Sequence, residues 1–232
     1  MIKSLLRWVG WLLLLFFSLL LLLQAWFLLH IIYWNQYNPS SSAFMQTRWE
    51  VTRQNQPNVK FYYQWIDYEK ISPHLKRAII AAEDSQFLNH TGFDFKAMQN
   101  ALERNWQEGR WAAGGSTISQ QLAKNLFLSD KKTPWRKLQE AVITYMLEKV
   151  MTKKRILEIY LNIIEWGENV FGAEAASQHY FGVSASTLTA RQAAFLASIV
   201  PSPRFYDRNR TAKKLLKKTD IILKRMPPSQ IP

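Results

Sequence analysis

The hydropathy pattern begins with one long apolar run near the N-terminus. Between Trp8 and Trp34 the chain has no Asp, Glu, Lys or Arg, and residues 12–29 read LLLLFFSLLLLLQAWFLL. This run is longer than the roughly 20 residues that cross the ~30 Å hydrocarbon layer of a bilayer. Lys3 and Arg7 precede it, which favours a cytoplasmic N-terminus. The pattern predicts a cytoplasmic segment (1–7) and a transmembrane anchor (8–34), with the rest of the chain outside the cytoplasm.

A cleaved signal peptide is the alternative interpretation of the apolar run. The run is longer than the apolar region of a typical signal peptide, and no convincing small-residue cleavage site follows it. An uncleaved anchor is therefore favoured.

Beyond the anchor the pattern turns polar and then helical. Residues 35–58 start with a stretch rich in Asn, Ser and Pro, and they are predicted to form a linker that could lie along the membrane surface. Residues 59–68 are aromatic and fit a short strand or an interfacial segment. From Ser72 and Pro73, a favoured N-cap and first-turn pair, apolar residues recur at helical spacing. Helices are predicted at 73–83, 95–106, 117–128, 134–151, 153–166, 172–181, 190–199 and 212–226.

Composition limits the class of protein. No run alternates long enough for a large sheet, so residues 59–232 are predicted to form one mainly α domain. The chain has no Cys, which excludes disulfides, Cys-ligated zinc and a thiol nucleophile. Lys and Arg (30) outnumber Asp and Glu (17), which favours anionic lipid and anionic substrates as partners. Nucleic acid is not expected, because the chain shows no nucleic-acid motif.

The basic amphipathic helix at 212–226 is predicted to be structural. Leu215, Leu216, Ile222 and Leu223 give it an apolar face, and its Lys and Arg residues give it a solvated one. Binding to a membrane or a partner is the alternative.

The first candidate for chemistry is the stretch AAEDSQFLNHTGFD at residues 81–94. It sets Glu83 at the end of an apolar helix, where burial would raise the pKa of a carboxyl toward that of a general acid or base. A solvated acidic helix end is the plainer interpretation. His90 and Asp94 can equally organise the loop, and the absence of an H-E-x-x-H pattern makes a zinc site improbable.

The second candidate is AAGGSTISQQLAKN at residues 112–125. Two glycines lead into Ser116, Thr117 and a helix N-terminus, where backbone N–H groups suit an oxyanion or a phosphate. Gln121 shares a helix face with Lys124 and with Asn125. A capped helix with a polar surface is the alternative, although it does not explain why the paired amides of Gln120 and Gln121 are followed by Lys124 and Asn125.

A third pair lies in the next predicted helix. Arg136 and Glu140 are four residues apart, a spacing that usually indicates a surface ion pair worth ~0.3–0.5 kcal/mol. Arg is also the side chain best shaped for bidentate phosphate binding.

Four stretches together resemble a known family. EDSQFLNHTGFD at 83–94, GGSTISQQLAKNLFL at 114–128, RKLQE at 136–140 and KKRILEIYLNIIEWG at 153–167 are similar in order and spacing to the motifs of peptidoglycan glycosyltransferases. These lipid II polymerases occur alone or as the N-terminal domain of class A penicillin-binding proteins. The chain resembles the monofunctional biosynthetic type, and the resemblance, which covers about residues 72–210, implies a helical, lysozyme-like fold.

The resemblance also implies a reaction. The family joins GlcNAc-MurNAc-pentapeptide units carried on undecaprenyl pyrophosphate into linear β-1,4 glycan strands. Glu83 would be the general base that takes the proton from the acceptor 4-hydroxyl, whose oxygen attacks C1 of the donor MurNAc with inversion. Glu140 would be the second essential carboxylate, and Lys124 and Arg136 would contact the pyrophosphate. The expected cleft wall is Ser116, Thr117, Gln121 and Asn125, and the expected supports of the first motif's loop are Asp84, Phe87 and His90.

Partners and location follow from the same resemblance. The expected partners are lipid II, the nascent glycan chain, the bilayer, and cell-wall synthesis or division proteins, with no nucleic acid. No cofactor is required by the sequence, although some members hold a divalent cation (Mg or Mn) at the pyrophosphate. The expected location is the bacterial inner membrane, single-pass, with the catalytic domain in the periplasm.

Two positions depart from the family pattern. Ser119 stands where Thr is common, which keeps the hydroxyl, and Asn169 stands where Gly is frequent. Because Asn tolerates left-handed backbone better than most residues, the turn is expected to survive.

Two rival functions are less well supported. A muramidase or lytic transglycosylase also uses a Glu, but it has no need of Lys124 and Arg136 around a phosphate. A catalytically silent scaffold would have no need to keep both Glu83 and Glu140.

Overall fold

The computed structural model describes residues 2–109, 114–129, 131 and 133–232. In these ranges the chain is mainly helical, as the sequence predicts, with three very short strands. The helices are α1 (Ile2–Gln36), α2 (Ala43–Asn55), α3 (Pro73–Glu83), α4 (Phe95–Gln107), α5 (Ile118–Phe127), α6 (Pro134–Val150), α7 (Lys153–Ile163), α8 (Ala173–Phe181), α9 (Ala190–Ile199), α10 (Pro203–Arg208) and α11 (Lys213–Arg225). The strands are β1 (Tyr62–Tyr63), β2 (Glu165–Gly167) and β3 (Val170–Phe171).

Hydroxyl side chains fix where the helices begin. Ser72 accepts a hydrogen bond from the backbone N–H of His74 and is followed by Pro73 in the first turn of α3, as predicted. Thr117 and Thr189 form reciprocal capping boxes with the Gln three residues later. The sequence therefore sets these helix starts locally, before any tertiary contact.

The core lies around α7, whose central residues are fully buried. Helix α3 packs against α9 and α11, and α5 packs against α6 and α7. This packing brings the C-terminal end of α3 and one face of α5 to the same region.

The three strands form a small sheet in the order β1-β3-β2, with β1 parallel and β2 antiparallel to β3. The turn between β2 and β3 contains Asn169 at φ 60°, so the left-handed conformation is kept where the family often has Gly. Residues 59–68, for which the sequence left a strand and an interfacial segment open, contain the strand β1.

Helix α1 is long and apolar enough over residues 4–36 to cross a membrane. Its later part packs on the domain. Phe27 and Ile31 are buried in the common core, and Gln24 Nε2 donates to Gln139 Oε1 of α6 at 3.0 Å. Arg155 of α7 donates to the backbone oxygen of Trp34. Helix α1 is thus attached to the domain by side-chain contacts as well as by the chain.

The structure differs from the sequence-based helix assignment in three places. The helix predicted at 153–166 ends at Ile163, because residues 165–167 pair with β3. Pro203 begins the short helix α10, which was not predicted. Part of the segment predicted as a linker is helical: Ser42 caps α2, and α2 packs against α5.

Candidate active site

Glu83 is the last residue of α3 and faces a cavity of about 920 Å³. The helix stops there because Asp84 is extended, at φ −160° and ψ 76°, while its N–H still bonds to the oxygen of Ile80. The cavity is lined in part by Glu83, Asp84, Phe87, Ser116 and Thr117, together with Lys224 and Arg225 of α11.

A chain of hydrogen bonds holds the Glu83 carboxylate. Gln121 Nε2 donates to Glu83 Oε2 at 2.9 Å, and the Tyr160 hydroxyl donates to Gln121 Oε1 at 2.8 Å. Tyr160 is fully buried in α7, so its hydroxyl fixes which way the amide of Gln121 points. The amide group therefore always presents its donor to Glu83.

Burial and nearby charges act on Glu83 in opposite directions. Removal from water raises the pKa of the Glu83 carboxyl, and the charge of Asp84 adds to this. The hydrogen bond from Gln121 and the charges of Lys218 and Lys124 act to lower the pKa of the same group. The outcome is a raised pKa in a cavity large enough for a sugar ring, which is the environment of a general base.

The loop after α3 is held by Asp84. Its carboxylate accepts from His90 Nε2 at 2.9 and 3.1 Å and from the backbone N–H of Ile118 at 3.0 Å. His90 Nδ1 in turn accepts from the N–H of Gly92, so the proton is on Nε2. Asp84 thereby joins this loop to the first turn of α5.

Phe87 and Asp94 support the same loop. The Phe87 ring is fully buried, with the Lys153 ammonium 4.6 Å from its centroid. Asp94 accepts from the N–H of Ala97 and caps α4. The carboxylate of Asp94 is therefore used as a helix cap.

The entrance to α5 is close-packed. Thr117 Oγ1 accepts from the N–H of Gln120 and donates to the oxygen of Gly92 at 2.7 Å, while Ser116 is exposed in the cavity. A Cβ on Gly115 would lie 2.7 Å from Met98 Cα, so α4 and this segment approach as closely as glycine allows. Of the two hydroxyls, that of Ser116 is the one open to a ligand.

Asn125 and Ser119 turn toward the protein. Asn125 Nδ2 donates to the backbone oxygen of Gln121 at 2.8 Å, and Asn125 is buried. Ser119 Oγ donates to Glu148 Oε1, which also pairs with Lys153 at 2.7 Å. The hydroxyl expected at position 119 is therefore used inside the domain.

The second carboxylate is buried within a cluster of cations on α6. Glu140 Oε2 accepts from Arg136 Nη1 at 2.6 Å, and Glu140 Oε1 accepts from Lys137 Nζ. The Glu140 side chain is 4% exposed, so this is a buried pair rather than the surface pair that the spacing alone suggests. With both oxygens engaged, Glu140 orients cations.

The predicted residues form two connected groups. Gln121 and Lys124 of α5 act directly on Glu83, whereas Arg136 and Glu140 are on α6, which packs against α5. Within the described part of the chain, several predicted site residues do not line the 920 Å³ cavity: Gln121, Lys124, Asn125, Arg136 and Glu140. The α6 cluster therefore adjoins the helix that supports Glu83.

Sequence reasoning missed several residues of these two groups. Lys137 could have been found from its position three residues before Glu140. Tyr160 and Lys218 carried no local signal, because the tertiary fold brings each to the site from far along the chain. The helix at 212–226 packs through Leu215 and Ile222 as expected, whereas Leu216, predicted on the same apolar face, is exposed. The helix also contributes to the cavity.

The described residues contain no cluster of three or more His, Asp or Glu side chains able to hold a metal ion. The oxygens of Glu140 accept from Arg136 and Lys137, and those of Asp84 accept from His90 and Ile118. The acidic groups at the site are therefore already engaged by donors of the chain.

Comparison with protein families identifies one family model that matches most of the chain. Residues 50–227 match the model of a family described as Transglycosylase. The match includes α3, α5, α6 and α11, which carry the groups described above.

Curated relatives match nearly the whole chain. A biosynthetic peptidoglycan transglycosylase of Nitrosospira multiformis is 62% identical over 226 residues, covering 97% of this chain and 98% of the relative. One from Nitrosomonas europaea is 61% identical and covers 95% and 90% of the two chains, respectively. One from Methylobacillus flagellatus is 56% identical over 232 residues and covers 100% of both.

Proposed function

The chain belongs to the transglycosylase family, and we propose that this peptidoglycan transglycosylase polymerises lipid II into linear β-1,4 glycan strands. The observation that carries the proposal is the Glu83 carboxylate, which lines a cavity, accepts a hydrogen bond from Gln121 and is acted on by the charge of Lys124. In this reaction undecaprenyl pyrophosphate leaves C1 of the donor MurNAc. The acceptor is the 4-hydroxyl of the incoming lipid II.

Glu83 acts as the general base. As the acceptor oxygen attacks C1 from the face opposite the pyrophosphate, its proton passes to the Glu83 carboxylate, and the bond from C1 to the phosphate oxygen breaks. One bond forms and one breaks at C1, so the α linkage becomes β. A carboxylate whose pKa is raised by burial accepts this proton more readily than a solvated one.

Cationic side chains stabilise the departing pyrophosphate. Lys124 lies one turn beyond Gln121 on α5, and Arg136 is held in place on α6 by Glu140. Negative charge grows on the phosphates as the bond to C1 breaks, and fixed cations stabilise that charge without reorganising. Glu140 therefore contributes by positioning Arg136 and Lys137.

A divalent cation would be held by the phosphates of the substrate. The carboxylates near the site are engaged by His90, Ile118, Arg136 and Lys137, so they do not fit a protein cage for Mg or Mn. A cation bound by the pyrophosphate would add to the charge that the chain supplies.

The anchor keeps the cavity near the lipid pyrophosphates. We infer an inner-membrane protein with its domain on the periplasmic side, since Lys3 and Arg7 precede the span. Protease added to intact spheroplasts should remove the domain. A domain protected until the membrane is broken would contradict this orientation.

Replacement of the base tests the reaction. The variant Glu83→Gln keeps the size of the side chain and should lower lipid II polymerisation by about 10²–10⁴-fold, as expected for loss of a positioned base. Glu103→Gln, an exposed change on α4, serves as the matched control and should polymerise normally. Products are separated on gels after incubation with purified full-length protein.

Two results would contradict the proposal. Wild-type polymerisation by Glu83→Gln would remove the assignment of the base. Release of soluble fragments from polymeric peptidoglycan, with no polymer made from lipid II, would instead indicate a hydrolase or lytic enzyme.

A further inference from the structure

Helix α11 is fixed in rotation by its apolar face. Leu215, Thr219 and Ile222 recur at helical spacing and are buried, and α11 packs against α9 and α3. Thr219 Oγ1 also lies 3.2 Å from Ser198 Oγ of α9. The directions of the basic side chains on α11 follow from this rotation.

One lysine of α11 is directed differently from its neighbours. Lys213, Lys214 and Lys217 are exposed, whereas Lys218 is partly buried beside the helix that ends at Glu83. Arg225, seven residues later and on the same face of the helix, lines the Glu83 cavity. The face of α11 that carries Lys218 next to α3 therefore reaches the cavity at Arg225.

The charged and polar groups around Glu83 come from four parts of the chain. Lys124 and Gln121 belong to α5, Asp84 follows Glu83, Tyr160 comes from α7 and Lys218 from α11. The charges of Lys218 and Lys124 both favour the ionised form of Glu83.

The effect is reciprocal. Burial lowers the pKa of the Lys218 ammonium, the charge of Glu83 opposes that change, and Lys214, one turn earlier, adds to it. Lysine is costly to place out of water without a partner, so its position beside a carboxylate has a physical reason.

We propose that Lys218 is a positioning residue of the reaction, an ammonium from the C-terminal helix that faces Glu83 and keeps its carboxylate charged before the acceptor arrives. The inference rests on the proposed role of Glu83 as base. Lys218 neither takes nor gives the proton of the acceptor hydroxyl, and it acts on the rate only through Glu83.

The test is the pH dependence of lipid II polymerisation by full-length variants. Lys218→Met should lose about tenfold or more in kcat/KM below neutral pH and recover as the pH rises. The reason is that the acid limb of the pH–rate profile shifts to higher pH when the positive charge near Glu83 is lost. Lys218→Arg should restore most of the rate. Lys217→Met removes the same charge from the adjacent exposed position and should match the wild type.

Two outcomes would overturn the inference. A wild-type profile for Lys218→Met would show that its charge is not needed, and an equal loss at every pH would show that it does not act through Glu83. These outcomes concern Lys218 alone, whereas normal polymerisation by Glu83→Gln would overturn the role of the base itself.

A double-mutant cycle measured by thermal unfolding keeps the inference testable if the rates are too low to measure. The midpoint temperatures of unfolding are compared for the wild type, Glu83→Gln, Lys218→Met and the double variant. Coupling is expected, with Lys218→Met costing less stability when position 83 is Gln. If the stability effects of the two changes are additive, Lys218 does not interact with Glu83. If Lys218→Met does not fold, Lys218→Gln replaces it in the same cycle.

Discussion

Loss of the Asp84 carboxylate should destabilise the domain more than most single changes. Asp84 accepts hydrogen bonds from His90 Nε2 and from the N–H of Ile118, and its side chain is 2% exposed. Asn in its place offers one oxygen, and its NH₂ group would face a donor. One of the two donors then loses its acceptor and the other bonds to a neutral oxygen, so the attachment of the loop after Glu83 to α5 is weakened.

The size of this loss follows from the number of bonds. Hydrogen bonds to a charged group are worth ~1.5–3 kcal/mol each, so weakening the two bonds that Asp84 accepts should cost about 3–5 kcal/mol. For a chain of this length, 1 kcal/mol corresponds to roughly 2–4 °C in the unfolding midpoint. Asp84→Asn should therefore unfold about 6–20 °C below the wild type.

The assay is thermal unfolding of the purified protein in detergent, followed by circular dichroism. Asp220→Asn is the matched control, because Asp220 pairs with Arg191 at an exposed position and surface pairs contribute little. Polymerisation by Asp84→Asn should also fall at temperatures where it remains folded. If both variants unfold at the same temperature, the role assigned to Asp84 is wrong.

Two further predictions concern the Glu83 chain of hydrogen bonds. Burial raises the pKa of Glu83 above its unfolded value of ~4.3, so the folded state keeps a proton that the unfolded chain releases, and stability falls as pH rises through this window. Glu83→Gln should therefore unfold at a higher temperature than the wild type near neutral pH, with the difference vanishing below about pH 4; a constant difference would refute this. Tyr160→Phe should cost about 1 kcal/mol of stability and slow polymerisation, because the Gln121 amide is then free to turn its oxygen toward Glu83. In a Gln121→Met background the same change should slow the reaction little, and an undiminished loss would show that Tyr160 acts by another route.

The sequence by itself determined most of the helices and the residue types of the site. Capping pairs such as Ser72 with Pro73 act within one turn, so α3 begins where the pattern predicts. The apolar run at 12–29 identifies a helix able to span a membrane, because length and composition are enough. The four motifs indicate the family, which the comparison of residues 50–227 confirms.

Only the tertiary structure decided which groups meet. Glu165 follows a helical pattern, yet it pairs in a strand with Phe171 just beyond the turn, and the distant strand β1 pairs with the other side of β3. The spacing of Arg136 and Glu140 fits a surface ion pair, but packing buries it. Lys218 is one of several lysines on an amphipathic helix, and only the rotation of α11 against α3 and α9 distinguishes it. The residues that bury Glu83 or act on its charge lie up to 135 positions away in the chain. The sequence around Glu83 therefore does not indicate which residues they are.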